Sequence, residues 1–350
     1  MEYWCVSKMK CSWLLFLMMI GSLIVCGIEG GCIQEERNAL LQIKTSFIHS
    51  YVPSVDPLPS WVDDGGDCCD WERVNCNTTF RHVTDLSLRN MMGMPKRNLY
   101  EYDTCQRINW PLNISVFLHF KELTSLNLSR DCLDDGIVKT GLGRLSSLKK
   151  LQTLDLSDNS ITNVIFPSLG ALNSLRVLNL SSNELKGYFP ALGMSLKNLE
   201  ILDLFYNYME GFDQISLLKK LKVLNLRWNG FNERFITSLS ALPMLKSLDL
   251  NGNELSQWSF RVEELLHLTN LEELDLSGNK LNVTPNIQGK GRFSNECIGL
   301  SRLKKLKSIS LGDNNFNKSI ISCLSALPSL NTLDLSSNHL RGSFPIQGMF

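Results

Sequence analysis

No excess of charge of either sign is present. The chain carries 35 basic and 35 acidic residues, so nucleic acid and an anionic membrane surface are excluded as charge-driven partners. Long hydrophobic runs are missing past residue 30, where nothing approaches the ~18 apolar residues of a spanning helix. Metal and thiol-redox spacings are absent too. No Cys-x-x-Cys pair occurs, and none of the histidines (His49, His82, His119, His267, His339) forms His-Glu-x-x-His. Neither Gly-x-Ser-x-Gly nor a Gly-x4-Gly-Lys-Ser/Thr phosphate loop is found. These gaps argue against an enzyme, and no metal or other cofactor is expected. What remains is a chain of 350 residues, 43% hydrophobic and 20% charged, which can bury a core.

The one apolar run lies at the start. Lys8 and Lys10 precede Trp13 to Ile20, and Gly21 to Cys26 follow. A basic segment, an apolar run and small residues predict a secretory signal peptide over 1–30, cut between Gly27 and Gly31. Its removal takes two basic and two acidic residues, so the charge balance stays at zero. No membrane span is expected after cleavage. Eight cysteines then remain: Cys32, Cys68, Cys69, Cys76, Cys105, Cys132, Cys297 and Cys323. An even number in an exported chain points to disulfides.

An internal repeat sets the architecture. The pattern Leu-x-x-Leu-x-Leu-x-x-Asn starts at Leu123, Leu151, Leu175, Leu199, Leu221, Leu245, Leu271, Leu306 and Leu330, and a weaker copy starts at Val83. The fourth and sixth positions share one face of a short strand. Asparagine closes the turn at position nine, where its amide can satisfy backbone groups of neighbouring coils; Asp131 replaces it once. One coil cannot bury its apolar side alone, but stacked coils can. The expected fold is an α/β solenoid: a right-handed leucine-rich-repeat superhelix with a parallel concave sheet. Repeats fill 81–350, one weak copy and nine clear ones, the last truncated. Residues 32–80, with an amphipathic helix around Ala39 to Phe47 and the run Cys68-Cys69-Asp70-Trp71 to Cys76, form a cysteine-rich lid over the first coil.

Several copies continue as Asn-x-Leu-x-Gly-x-Phe-Pro, as in Asn183 to Pro190 and Asn338 to Pro345. With the lid and the stretch Cys105-x4-Trp110-x-Leu112-Asn113, this resembles the plant leucine-rich-repeat receptor-like proteins, over essentially all of 32–350. The resemblance implies a disulfide-bonded N-terminal cap that pairs Cys32 with Cys68 and Cys69 with Cys76. It implies a cell-surface receptor without a kinase, in defence or development, that binds a peptide, glycan or protein ligand and signals through a co-receptor kinase. Members carry more repeats, a juxtamembrane segment and one span, none of which is found before Phe350. The sequence therefore reads as an N-terminal portion, extracellular or held at the plasma membrane in its full-length form. Two other readings stay open: a secreted protein resembling the polygalacturonase inhibitors, and a nonfunctional truncated relative. Cys105 and Cys132, and Cys297 and Cys323, lie 27 and 26 residues apart, a little over one coil. That spacing suits pairing across neighbouring coils without fixing the connectivity.

Positions two, three, five, seven and eight are expected to face outward on the concave wall. Most copies hold small polar residues at seven and eight. Two adjacent copies hold Phe205-Tyr206 and Arg227-Trp228, with Tyr208 just beyond, and aromatics beside an arginine are the usual material of binding hot spots. Mutual stacking on a solvated wall is the plainer alternative. Asp203, Asn225 and Asp249, at position five of the same region, are candidate polar contacts. The position-five column as a whole reads as a solvated polar stripe rather than a metal site. Glycosylation signals occur at Asn77, Asn113, Asn127, Asn179, Asn282 and Asn317. Glycans on Asn127 and Asn179 would direct binding toward 205–275 or the flanks. The long step from Leu271 to Leu306, with Gly289 to Arg292, reads as an exposed inserted loop, a tolerated insertion rather than a segment that docks a partner or touches the ligand.

Overall fold

The computed structural model describes residues 31–50, 56–93, 110, 112–191, 196–256, 265, 267–282 and 302–342. The expected leader, the inserted loop, Cys105 and Cys297 lie outside these residues.

The repeat pattern becomes a ladder of three-residue strands. After β1 (Val74–Cys76) and β2 (Val83–Ser87) come β3 (Ser125–Asn127), β4 (Thr153–Asp155) and β5 (Val177–Asn179). Then follow β6 (Lys186–Phe189), β7 (Ile201–Asp203), β8 (Tyr208–Phe212), β9 (Val223–Asn225) and β10 (Ser247–Asp249). The series closes with β11 (Glu273–Asp275), β12 (Ser308–Ser310) and β13 (Thr332–Asp334). All except β6 and β8 form one sheet, in the order β1-β2-β3-β4-β5-β7-β9-β10-β11-β12-β13. Only β1 and β2 pair antiparallel; the rest pair parallel. The register sets like positions side by side, so Leu154, Leu178, Leu202, Leu224 and Leu248 form one buried row. Any slip by one residue would turn that row to water. Returning segments are 3-10 turns and short helices, as in Phe166–Leu169 and Glu233–Ser238.

Polar groups inside the stack are satisfied by the expected asparagines. Asn183 accepts from the Ile161 N–H (3.0 Å) in the preceding coil, and its amide donates to the carbonyls of Leu156 (3.0 Å), Leu180 (3.1 Å) and Ser181 (3.1 Å). Asn159, Asn207, Asn253 and Asn314 repeat the device. Since a buried, unpaired backbone group costs about 1–3 kcal/mol, these amides allow non-helical turns to be buried at all.

The cap is built around α1 (Gln34–Ser50). Leu40, Ile43 and Phe47 are fully buried, Trp61 stacks on Trp71 at 5.8 Å, and Phe47 meets Trp110 edge-on at 5.2 Å. The implied pairs are formed: Cys32 with Cys68, and Cys69 with Cys76, each with a Cα separation of 5.5 Å. Cys132 and Cys323 are also disulfide-bonded. The partners expected for them fall outside the described residues. Two adjacent helix charges, to which sequence reading gave no role, hold the cap in place. Buried Glu36 accepts from the Val83 N–H (2.8 Å) on the first coil and from His82 Nδ1 (3.1 Å). Arg37, also buried, lies over the Trp71 ring and donates to the carbonyls of Val62 and Gly66.

Candidate functional site

The strands end at position five, and the next three residues turn the chain. Position eight takes a left-handed backbone in all ten coils: Asn90, Arg130, Asp158, Ser182, Tyr206, Trp228, Gly252, Gly278, Asp313 and Ser337 have φ between 50° and 66°. Glycine, asparagine, aspartate and serine suit such a place. Tyrosine and tryptophan do not, because their Cβ crowds the following carbonyl, and each is held there at a cost of order 1–3 kcal/mol. The turn holds because Tyr206 N donates to Arg227 O (2.9 Å) and Trp228 N to Asn251 O (2.8 Å).

The aromatics meet as expected. Tyr206 and Trp228 have ring centroids 5.8 Å apart, and Phe205 lies 5.9 Å from Tyr206 and 6.5 Å from Trp228. The Arg227 guanidinium sits 5.9 Å from the Trp228 centroid, and the indole donates to Asn251 Oδ1 at 3.2 Å. On the far side the indole lies over Gly252, where a Cβ would fall 2.6 Å from Trp228 Cδ1. Glycine at 252 is thus the floor that lets the ring lie down. Trp228 stays 38% exposed; Phe205, Tyr206 and Arg227 are half-buried. Among the described residues Arg227 forms no ion pair.

Three expectations need correction. Tyr208 does not belong to the concave patch: it is the first residue of β8, in a separate two-stranded sheet with β6, and its ring packs against the Lys186 ammonium at 5.6 Å. The chain has already turned at Asn207. Position seven is not freely outward, since Ser129, Ser157, Ser181 and Ser277 are buried there. The position-five column is not a solvated stripe either. All its members but Asp334 are half-buried, and one oxygen of each aspartate or asparagine in it caps the turn by accepting the N–H two residues on: Asp203 from Phe205 (2.9 Å), Asn225 from Arg227 (3.1 Å), Asp249 from Asn251 (2.9 Å). Asn225 also donates to Asp203 Oδ2 at 3.2 Å. These residues therefore shape the turn that carries the aromatics. Their electrostatics follow from crowding. Burial, with the charge of Asp275 and then Asp203, pushes Asp249 up to about 6 against the pull of the Asn251 N–H and of Arg227; burial and Asp155 raise Asp203.

The glycosylation signals fall into two groups. Asn113, Asn282 and Asn317 are exposed, while Asn77, Asn127 and Asn179 are half-buried. Asn127 uses its amide nitrogen toward Asp155 (3.3 Å), and a sugar there would replace one of that nitrogen's two hydrogens.

Comparison with known proteins agrees with this geometry. The leucine rich repeat N-terminal domain model matches residues 33–77, and leucine rich repeat models match 149–209, 173–231, 270–289 and 329–347. Receptor like protein 21 of Arabidopsis thaliana is 35% identical over 89% of this chain, and Receptor-like protein 1 of the same plant 34% identical over 97%. Cuscuta receptor 1 of Solanum lycopersicum is 30% identical over 94%. The chain spans 22%, 38% and 22% of these relatives' lengths. Among solved structures, the ectodomain of the Arabidopsis receptor kinase HAESA, in complex with a peptide hormone, superposes with a TM-score of 0.56 at 24% identity over 89% of this chain and 42% of that one. A plant ice-binding protein gives 0.56 at 23% identity over 91% and 90%, and both likenesses concern the fold alone. The chain belongs to the leucine-rich-repeat proteins, and along most of its length it is a relative of the plant receptor-like proteins.

Proposed function

We propose that this chain is a ligand-recognition portion of an extracellular receptor-like protein, one that binds on its concave wall and acts through a partner kinase at the cell surface, not by catalysis. The observation that carries the reading is the Tyr206–Trp228–Arg227 cluster. Two large aromatics occupy left-handed turn positions that small residues fill in most other coils, and a guanidinium that forms no ion pair among the described residues lies against them. Structural need does not account for that choice, because the stack closes the same turn with Ser182 and Gly252 on either side. Relatives named as receptors support the cell-surface setting.

The test uses the purified secreted chain, screened against a displayed library of random linear peptides and an array of neutral and acidic oligosaccharides. Binders of either kind should lose about tenfold or more in affinity with Trp228→Ala, while the chain stays folded and still melts cooperatively. Binding indifferent to Trp228, Tyr206 and Arg227 would remove the site from the argument.

A further inference from the structure

Position three tells a second story on the same coils. In seven of the ten coils it is polar: Asp85, Ser125, Thr153, Ser247, Glu273, Ser308 and Thr332. In three consecutive coils it is branched and apolar: Val177, Ile201 and Val223. The parallel register sets these three directly beside one another. Ile201, the middle one, is 36% exposed, and its neighbours are half-buried. β-branched residues suit strands anywhere, so propensity alone does not explain their confinement to three coils. Two of those coils also carry the aromatic cluster.

The wall therefore holds two apolar rows on the same coils, separated by the position-five column. From position three to position seven is four residues, at most about 13 Å along an extended strand. The column between them holds oxygens with further accepting capacity: Asp203 and Asn225 each keep one oxygen on a turn N–H, and the second oxygen of Asp203 accepts a single bond, from the Asn225 amide. On the outer border Glu200 is held between Arg176 and Lys222, so those charges answer one another. Arg227, at the aromatic end, forms no ion pair among the described residues and feels only the longer-range charge of Asp249, which leaves its donors open to a carboxylate.

We propose that the row Val177, Ile201 and Val223 is the second half of the binding site, and that the site takes an extended peptide lying along the strands, with apolar side chains three or four residues apart on the two rows and a carboxylate at Arg227. This rests on the concave-wall reading above and narrows it to a ligand class. A peptide supplies N–H donors to the oxygens of the column and an aliphatic or aromatic anchor to each row. A sugar ring can stack on Tyr206 and Trp228, but its hydroxyls gain nothing from an aliphatic row.

The experiment repeats the peptide and oligosaccharide screens with Ile201→Asp and the milder Ile201→Thr, beside Trp228→Ala and Arg227→Glu. Ile201 is exposed enough for both variants to stay folded, and Ile201→Thr, which keeps the β-branch, should melt close to the parent. Enriched peptides should share two apolar residues three or four apart with an acidic residue beside one of them. Their affinity should fall about tenfold or more with Ile201→Asp and with Arg227→Glu, and less with Ile201→Thr. Peptides that respond to Trp228→Ala but not to Ile201→Asp would overturn the two-row site and leave the concave-wall reading standing. So would oligosaccharides alone responding to Trp228→Ala, or a screen that enriches no peptide. Indifference to both Trp228 and Ile201 would remove both.

Discussion

Asp131 occupies the place where eight other coils carry asparagine. It is fully buried; one oxygen accepts from the Met91 N–H at 2.7 Å, and the other has no partner among the described residues. Elsewhere the amide at this place donates to carbonyls, and a carboxylate has no proton to give. Burial accordingly pushes Asp131 well above the usual carboxylate range, only partly opposed by the Met91 N–H and the charge of Arg73. The folded chain then holds this proton more tightly than the unfolded one, so stability falls as pH rises above the usual carboxylate value. Asp131→Asn should raise stability at neutral pH by about 1–3 kcal/mol, with the gain shrinking toward acid; melting curves across pH check it. A gain independent of pH would mean that the acid is not held neutral. Tyr206 permits a sharper balance. Its left-handed backbone costs of order 1–3 kcal/mol, and its contacts with Phe205 and Trp228 return about 0.5–1.5 kcal/mol each. Asparagine tolerates that backbone, so Tyr206→Asn should leave stability within about 1 kcal/mol of the parent while weakening ligand binding. A loss of several kcal/mol in denaturant titration would make the ring structural instead.

Among the strands, the position-five column couples neighbouring coils by charge. Asp249 stands beside Asp275 in register, and burial with that neighbour's charge lifts it from 3.8 to about 6. A raised folded pKa means that the neutral form is favoured, so the stability tied to it is present in acid and is lost as pH climbs from 3.8 through about 6. Asp249→Asn keeps an oxygen for the Asn251 N–H, as Asn225 does for Arg227 in the preceding coil. It should remove that slope and add about 1–2 kcal/mol above pH 7, once the share screened by water is discounted. Thermal melts of parent and variant that stay parallel between pH 4 and 7 would contradict this. The strands themselves were readable in advance, because leucine spacing reports which side chains must share an interior, and the interior asparagines report what buried turns need. Spacing does not report backbone sign. The left-handed place at Tyr206 and Trp228, the cover over Ser157 and Ser181, and the departure of Tyr208 into β8 all follow from the turn after position five, which leucine periodicity does not encode. Val177, Ile201 and Val223 passed unnoticed for another reason: valine and isoleucine are ordinary in strands, and only the parallel register makes three of them a row. The cap pairings came from family likeness, whereas the roles of Glu36 and Arg37 needed the packing of α1 on the first coil.

Across the whole molecule each coil touches only its neighbours, so a disturbance at one end need not reach the other. The cap gives the means to test this. It covers the first coil with Leu40, Phe47 and Trp61, and Glu36 ties it to Val83. The Cys32–Cys68 bond closes a separation of 36 residues, worth roughly 3–4 kcal/mol through the entropy it removes from the unfolded chain. Replacing both cysteines by serine should therefore cost about that much stability in the cap and the coils beside it. Hydrogen exchange should quicken first in α1, β2 and β3, where backbone bonds such as Leu88 N to Asn127 O lie near the opened end. The coils around β7 and β9, several interfaces away, should keep slow exchange and their affinity for peptides selected on the parent chain. Uniform acceleration from β2 to β13 would show instead that the stack opens as one unit, and that the cap governs the binding wall as well as its own end.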